Sequence, residues 1–135
     1  MRAGKHAASN HAIYSTGILR KHPDTKFALV DVVNLGAATA RGIKVQVFDW
    51  SDGSAVPLSV SPCDKTDCTV SLLPKSSSFL YADVSAVAFK YEVRIVRPVR
   101  RNIIVNVFGV TKDPFTPQTG DNVLQHELVR LMRNG

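Results

Sequence analysis

Alternation of apolar and polar residues is the strongest pattern in this chain. Residues 87–95, VAFKYEVRI, place an apolar side chain at every odd position and a charged one at three even positions. Residues 43–47, IKVQV, repeat the same period of two. Because successive side chains of a strand point to opposite faces, this period predicts β-strands with one face buried.

Turn residues divide the rest of the chain into similar short segments. Asp52 and Gly53 form a hairpin signal, whereas Gly17 interrupts the first segment as a bulge would, and Pro57 favours an edge strand. Residues 111–122 are rich in Pro and Gly and predict a loop. The predicted strands are 11–20, 26–35, 43–50, 55–60, 69–73, 78–84, 87–95, 102–110 and 123–132.

The last of these segments leaves two structures open. Leu124, Leu128 and Leu131 lie at helical spacing, but the alternation also allows a strand, which the other segments favour. About eight to nine short antiparallel strands in 135 residues predict an all-β, single-domain β-sandwich or jelly roll. Residues 1–12 are expected to be a flexible N-terminal arm, and residues 13–135 the sandwich domain.

The formal net charge of +6 makes an acidic partner conceivable. The densest basic cluster consists of Arg94, Arg97, Arg100 and Arg101. No aromatic residue is interleaved in it to stack on bases, so we expect contact with an acidic surface polymer or with solvent rather than with nucleic acid.

Membrane insertion and secretion signals are absent from the sequence pattern. The chain has no run of 18 apolar residues, so no membrane span is expected. The basic start MRAGKHAASNHA is not followed by the apolar segment of a signal peptide.

Candidate chemistry is sparse. Four histidines and the paired Asp49 and Asp52 suggest surface and turn roles rather than catalysis, and neither a cofactor nor a metal site is predicted. Cys63 and Cys68 are the two cysteines of the chain, and the DKTD between them is turn-like. An intrachain disulfide, a pair of reduced thiols and a bond to another subunit all stay open. Trp50, beside a turn, could be an exposed stacking platform or half-buried packing.

Residues 32–48, VVNLGAATARGIKVQVF, resemble a pattern of bacterial immunoglobulin-like adhesion domains. The positions that match, with Ile43 in place of Val, are Val32, Asn34, Gly36, Ala40, Ile43 and Val45. In that family the Asn-x-Gly makes a corner and the next alternation makes a strand. Over residues 26–131 the course of strands is similar to β-sandwich proteins of spore surfaces, including subunits of endospore appendage fibres.

This resemblance implies a non-enzymatic structural subunit that self-assembles into a surface fibre or layer. Appendage subunits carry cysteines in a short N-terminal connector, whereas the N-terminal arm of this chain contains no cysteine. The resemblance places the protein on a cell or spore surface, reached without a secretory signal; otherwise the location is the cytoplasm.

Assembly could use the N-terminal arm and first strand, which would complete the sheet of a neighbouring molecule. The residues expected at that subunit interface are His11, Ile13, Tyr14, Ile18 and Leu19. The alternative is that residues 11–20 form the first strand of their own sandwich. A second function also stays open: a monomeric adhesion or carbohydrate-binding module with Trp50, Tyr81 or the arginine cluster in contact with the ligand.

Overall fold

The computed structural model describes residues 10–99, 102–111 and 115–132. Eleven β-strands and one 3-10 helix, Gln125–Glu127, cover most of that range. The strands are β1 His11–Ser15, β2 Leu19–Arg20, β3 Phe27–Asn34, β4 Ala40–Asp49, β5 Val56–Leu58, β6 Cys68–Leu72, β7 Ser76–Asp83, β8 Lys90–Pro98, β9 Ile103–Val110, β10 Pro117–Val123 and β11 Val129–Leu131.

Two antiparallel sheets form a β-sandwich, which confirms the predicted fold class. Sheet A has the order β11-β1-β8-β4-β5, with β2 also on β8 and β6 also on β4. Sheet B has the order β10-β9-β3-β7. The described strands number eleven because the first predicted segment is divided into β1 and β2, and a predicted loop contains β10.

The core lies between the two sheets and consists of the side chains at alternate positions along the strands. In β8, the odd-numbered Tyr91, Val93 and Ile95 are fully buried, as the alternation predicted. Sheet B supplies Val30 and Val32 from β3 and matching valines from β9. The β8 strand starts only at Lys90, however, so Phe89 lies outside it and is 60% exposed.

Gly17 marks a break in the first predicted strand. Its φ is +70°, a conformation that favours glycine. On either side of it, β1 and β2 both pair with β8. The predicted interruption at Gly17 is therefore confirmed, and the two pieces follow a single edge of β8.

Residues 11–15 complete their own sheet. The β1 strand lies between β8 and β11, with Ile13 opposite both Val96 and Leu131. It begins at His11, inside the range 1–12 that the sequence suggested as an arm; residues 1–9 lie outside the described residues. Of the two alternatives for this stretch, the structure shows the strand within its own sandwich.

Asn34 makes the corner between the two sheets. Its buried Nδ2 lies within hydrogen-bond distance of the carbonyls of Ala38, Leu72 and Leu73, at 2.9, 3.2 and 3.3 Å. Its Oδ1 accepts a hydrogen bond from the Gly36 amide at 3.0 Å. One side chain thus closes the turn between β3 and β4 and binds it to the end of β6.

The C-terminal part differs from its prediction in two places. Residues 111–122 were expected to be loop, but Pro117–Val123 forms β10 and pairs with β9 across an irregular register. For residues 123–132 a strand was favoured and a helix stayed open; the structure has a 3-10 turn at Gln125–Glu127 and then the short strand β11. The turn carries the chain from sheet B to sheet A, a crossing that a continuous strand would not make.

Candidate binding surface

An aromatic cluster covers part of the outer face of sheet B. Phe27 comes from β3, Phe79 and Tyr81 from β7, and Phe115 from the segment before β10. Five pairs among these four rings have centroids between 5.5 and 6.3 Å apart. Phe79 remains 50% exposed. We call these four residues the aromatic cluster.

Strand register explains why these rings meet. In β3 and β7 the even positions, such as Val30 and Leu80, enter the core, so the odd positions face outward. Leu29 lies opposite Tyr81 and is covered by its neighbours. A contiguous exposed apolar surface of this kind, rich in aromatic side chains, is typical of a binding surface.

A polar row crosses the same face beside the cluster. Asp31 of β3 lies between Asn106 of β9 and Phe79 of β7 in the strand register. Partial burial raises the pKa of Asp31 above its ordinary value. The face therefore combines rings with a carboxyl and an amide, which could accept and donate hydrogen bonds to a bound partner.

The cysteine loop stands at the edge of this surface. Cys63 and Cys68 form an intrachain disulfide with their Cα atoms 5.3 Å apart, which settles the alternatives that the sequence left open. Just before the loop, the backbone of Ser61 exchanges hydrogen bonds of 2.8 and 3.1 Å with Tyr81. The disulfide thus joins β6 of sheet A to a short segment that covers part of the β7 edge.

Reduction of this disulfide should lower stability moderately. A loop closed over a sequence separation of 5 should contribute about 2 kcal/mol to the free energy of unfolding by chain entropy. Urea unfolding with and without reductant measures that difference. The control is the double variant Cys63→Ala/Cys68→Val, on which reductant should have no effect; an equal loss in both proteins would contradict the assignment.

Trp50 and Arg94, two residues suggested for ligand contact, meet instead at a buried glutamate. Glu92 of β8 is 5% exposed on the outer side of sheet A. Its Oε1 accepts from Trp50 Nε1 at 2.9 Å, and its Oε2 accepts from Arg94 Nε at 2.9 Å and from the Ser15 hydroxyl. The Arg94 guanidinium also stacks 4.8 Å from the Phe48 ring centroid.

Electrostatics keep this glutamate ionised. Burial disfavours the charged carboxylate, but the hydrogen bonds from Arg94, Ser15 and Trp50 outweigh it and lower the pKa of Glu92. Trp50 Nε1 and Arg94 Nε are therefore engaged within the chain. Their geometry is that of a structural network that ties β1 and the end of β4 to β8.

Arg97, another arginine of the basic cluster, lies inside the chain rather than on its surface. Arg97 is buried, stacks 4.7 Å from the Tyr14 ring centroid and donates to the Pro98 carbonyl. Burial lowers the pKa of Arg97, and the nearby positive charge of Arg130 lowers it further. The interaction with Tyr14 acts in the opposite direction but is outweighed. Arg100 and Arg101 lie outside the described residues.

The residues suggested for a subunit interface are largely used inside the chain. His11 Nε2 lies 3.0 Å from the Arg41 carbonyl, beside Gly42. Leu19 packs against the core, and Ile18 is 48% exposed next to Gly17. Ile13 and Tyr14 are half-buried in β1.

A second buried polar group lies between the sheets near the start of β3. Asp121 is fully buried, and its Oδ2 accepts from the Thr25 hydroxyl at 2.7 Å and from the His22 amide at 3.1 Å. Burial and the nearby Asp121 carboxyl raise the pKa of Tyr91. This arrangement ties β10 to the loop before β3 and is closed to solvent.

The described part of the chain has neither a cluster of metal ligands nor a membrane-spanning helix. Within residues 10–99, 102–111 and 115–132, no group of three or more His, Cys, Asp or Glu side chains could hold a metal ion. In the same ranges no helix has the length and apolar character needed to cross a membrane.

Comparison with known proteins finds similarity among solved structures. No protein-family model matches the chain, and no curated protein matches its sequence. Among solved structures, the chain is similar to Thermotoga maritima 1070, with a TM-score of 0.43 and 13% sequence identity over 84% of this chain and 90% of that chain.

Sequence reasoning missed most of the aromatic cluster. Only Tyr81 was among the suggested ligand contacts, whereas Phe27, Phe79 and Phe115 were not. The signal was present in FLY, residues 79–81: a period of two with Leu80 in the core places both flanking rings on the opposite face. That signal still could not show that Phe27 and Phe115 join them.

Proposed function

We propose that this protein is a non-enzymatic structural subunit that self-associates through the aromatic cluster on sheet B. The observation that carries the proposal is the four rings of Phe27, Phe79, Tyr81 and Phe115, partly exposed and in mutual contact on the outer face of the sheet. Aromatic side chains dominate the energetics of protein interfaces when another surface removes them from water.

Self-association is preferred because the face is mainly apolar. Leu29 and Val33 of β3, with Phe108 and Ile104 of β9, continue the apolar character beside the rings. Such a surface suits a second protein surface better than a strongly polar ligand. The N-terminal stretch is not part of the proposal, since β1 is already paired on both sides.

Substitution of Phe79 should weaken the association. In Phe79→Ser, the loss of one ring should raise the dissociation constant about tenfold or more. Sedimentation velocity from micromolar to submillimolar concentration measures this. The matched control is Phe89→Ser, which removes a more exposed phenylalanine outside the aromatic cluster. A wild-type protein that stays monomeric over the whole range would contradict the proposal.

A second candidate function, carbohydrate binding, is favoured by the polar row. Asp31 and Asn106, next to Phe79 and Tyr81, could hydrogen-bond hydroxyl groups while a ring packs on the C–H face of a sugar. A glycan array tests it, with Asp31→Ala as the variant that should lose binding. Binding that survives this substitution would argue against this face as the sugar site.

A surface location fits an assembling subunit, and we propose the outer layers of a cell or spore, where an acidic polymer would be a further partner. The net charge of +6 supports that affinity. Immunogold labelling of the source cells and spores tests the location, and a label confined to the cytoplasm would reject it.

A further inference from the structure

The β7 strand leaves part of its outer edge open. All eight residues of β7 are in register with β3 on one side. On the other side, the Tyr81 amide and carbonyl bond to Ser61, which shows that odd-numbered backbone groups point away from β3. By the same alternation the amides and carbonyls of Ser77 and Phe79 also point outward. Among the described residues, no backbone group pairs with them there.

This open edge lacks the usual protection against another strand. Residues 76–80 read SSSFL, without a charge, a proline or a glycine. Natural edge strands are commonly blunted by lysine, proline or bulges. By contrast, β10 at the opposite edge of sheet B begins with Pro117 and pairs with β9 through a shifted register.

The edge is complementary to itself. Two copies of β7 related by a two-fold axis at Ser78 would run antiparallel, with Ser77 opposite Phe79 in both directions. In this register the outward groups of both residues find partners, which gives four hydrogen bonds between the copies. A register centred on Phe79 would instead oppose Ser77 to Tyr81, whose backbone is already bonded to Ser61.

We propose that two copies of this chain join by antiparallel pairing of their β7 strands about Ser78, so that sheet B continues from one copy into the other. This interface rests on the proposed self-association and gives it a geometry. Phe79 faces Ser77 of the second copy, and the two Phe79 rings lie on a cross-strand diagonal within reach of each other. The aromatic cluster thus becomes continuous across the junction.

A two-fold contact closes with two copies. The interface therefore predicts a dimer as the assembling unit, and a fibre or layer would need a second, different contact between dimers. This distinguishes it from strand donation by an N-terminal arm, which is heterologous and does not close.

A single engineered cysteine tests the register. In Ser78→Cys, the substituted residue lies directly opposite the same residue of the second copy. The two thiols are then close enough to form a disulfide between the chains. Mild oxidation followed by non-reducing mass analysis should give about tenfold more linked dimer than Ser54→Cys, since proximity raises the effective thiol concentration. Ser54 is a matched control because it is an exposed serine in the turn after Trp50.

A second variant tests the hydrogen bonds without touching the fold. Ser77→Pro removes an amide that points away from β3, so the pairing of β3 with β7 is retained. We expect an unchanged far-ultraviolet circular dichroism spectrum and at least about a tenfold rise in the dissociation constant.

The outcomes separate the interface from the proposed function. A monomeric wild-type protein would reject both. A wild-type protein that self-associates while Ser78→Cys links no better than Ser54→Cys, or while Ser77→Pro folds and associates normally, would reject this interface and leave self-association standing.

Discussion

Gly109→Ala is expected to destabilise the protein by about 3 kcal/mol, near the upper end for overpacking a core. A Cβ at this position would lie 2.4 Å from the Asp121 Cβ, 2.7 Å from its Oδ2 and 2.9 Å from the Tyr91 hydroxyl. These neighbours are fully buried and cannot move into solvent. Urea unfolding followed by Trp50 fluorescence measures the change.

Two further variants identify the cause. Gly53→Ala is the matched control, because its Cβ meets nothing within 4 Å and its cost, about 1 kcal/mol, comes from a φ of +89° alone. Adding Asp121→Gly to Gly109→Ala should restore space for the new methyl group. The double variant should therefore lose less free energy of unfolding than the sum of the losses in the two single variants. Equal losses for Gly109→Ala and Gly53→Ala would refute the close contact.

Asn34→Ala is expected to lower the free energy of unfolding by about 3 kcal/mol. The substitution removes the partner of buried carbonyls at the end of β6 and of the Gly36 amide, and unsatisfied buried groups cost about 1–3 kcal/mol each. Chemical denaturation of the purified variant checks the value.

Asn34→Asp separates the two halves of this network. The carboxylate keeps the acceptor for the Gly36 amide but loses the Nδ2 donor, so most of the loss should remain. Asn122→Ala is the control, since this asparagine is exposed in β10 and should change stability by less than about 0.5 kcal/mol. A loss at Asn34 no greater than at Asn122 would show that the corner does not depend on the amide.

The strand pattern of the central segments could be predicted because local alternation and burial agree there. In β8 and β9 every second side chain meets the opposite sheet, so the sequence period of two appears directly in the structure. The Asn34 corner likewise follows from a short local motif, in which the amide can bond to a backbone group two residues later.

The β10 strand could not be predicted because its stability is not local. Pro117, Gly120 and Asp121 are turn residues by composition, yet β9 supplies the pairing, and the Thr25 hydroxyl and the His22 amide both donate to Oδ2 of the buried Asp121 carboxyl. Thr25 and His22 are 96 and 99 residues away from Asp121 in sequence. The 3-10 turn also depends on partners outside its own segment, since Gln125 bonds to Val105 and Asn106 of β9, 20 and 19 residues away.

The candidate site could be predicted only in part from the sequence, for the same reason. Trp50 and Arg94 were suggested for ligand contact, whereas the pairing of β4 with β8 brings Trp50 Nε1 and Arg94 Nε to Glu92. Conversely, Phe27, Phe79 and Phe115 were ordinary in sequence and became a surface only when three distant segments met.

By itself, the sequence determined the class of fold through its repeated short strands. It also determined the inner and outer faces of the central strands, the break at Gly17 and the turn from Asn34 to Gly36, because these depend on neighbours within a few residues. The tertiary structure decided which residues are free to bind a partner. It enclosed β1 between two strands, buried Arg97 and left the edge of β7 open beside the aromatic cluster. Those outcomes depend on which distant strands become neighbours, and a pattern of period two carries no information about that choice.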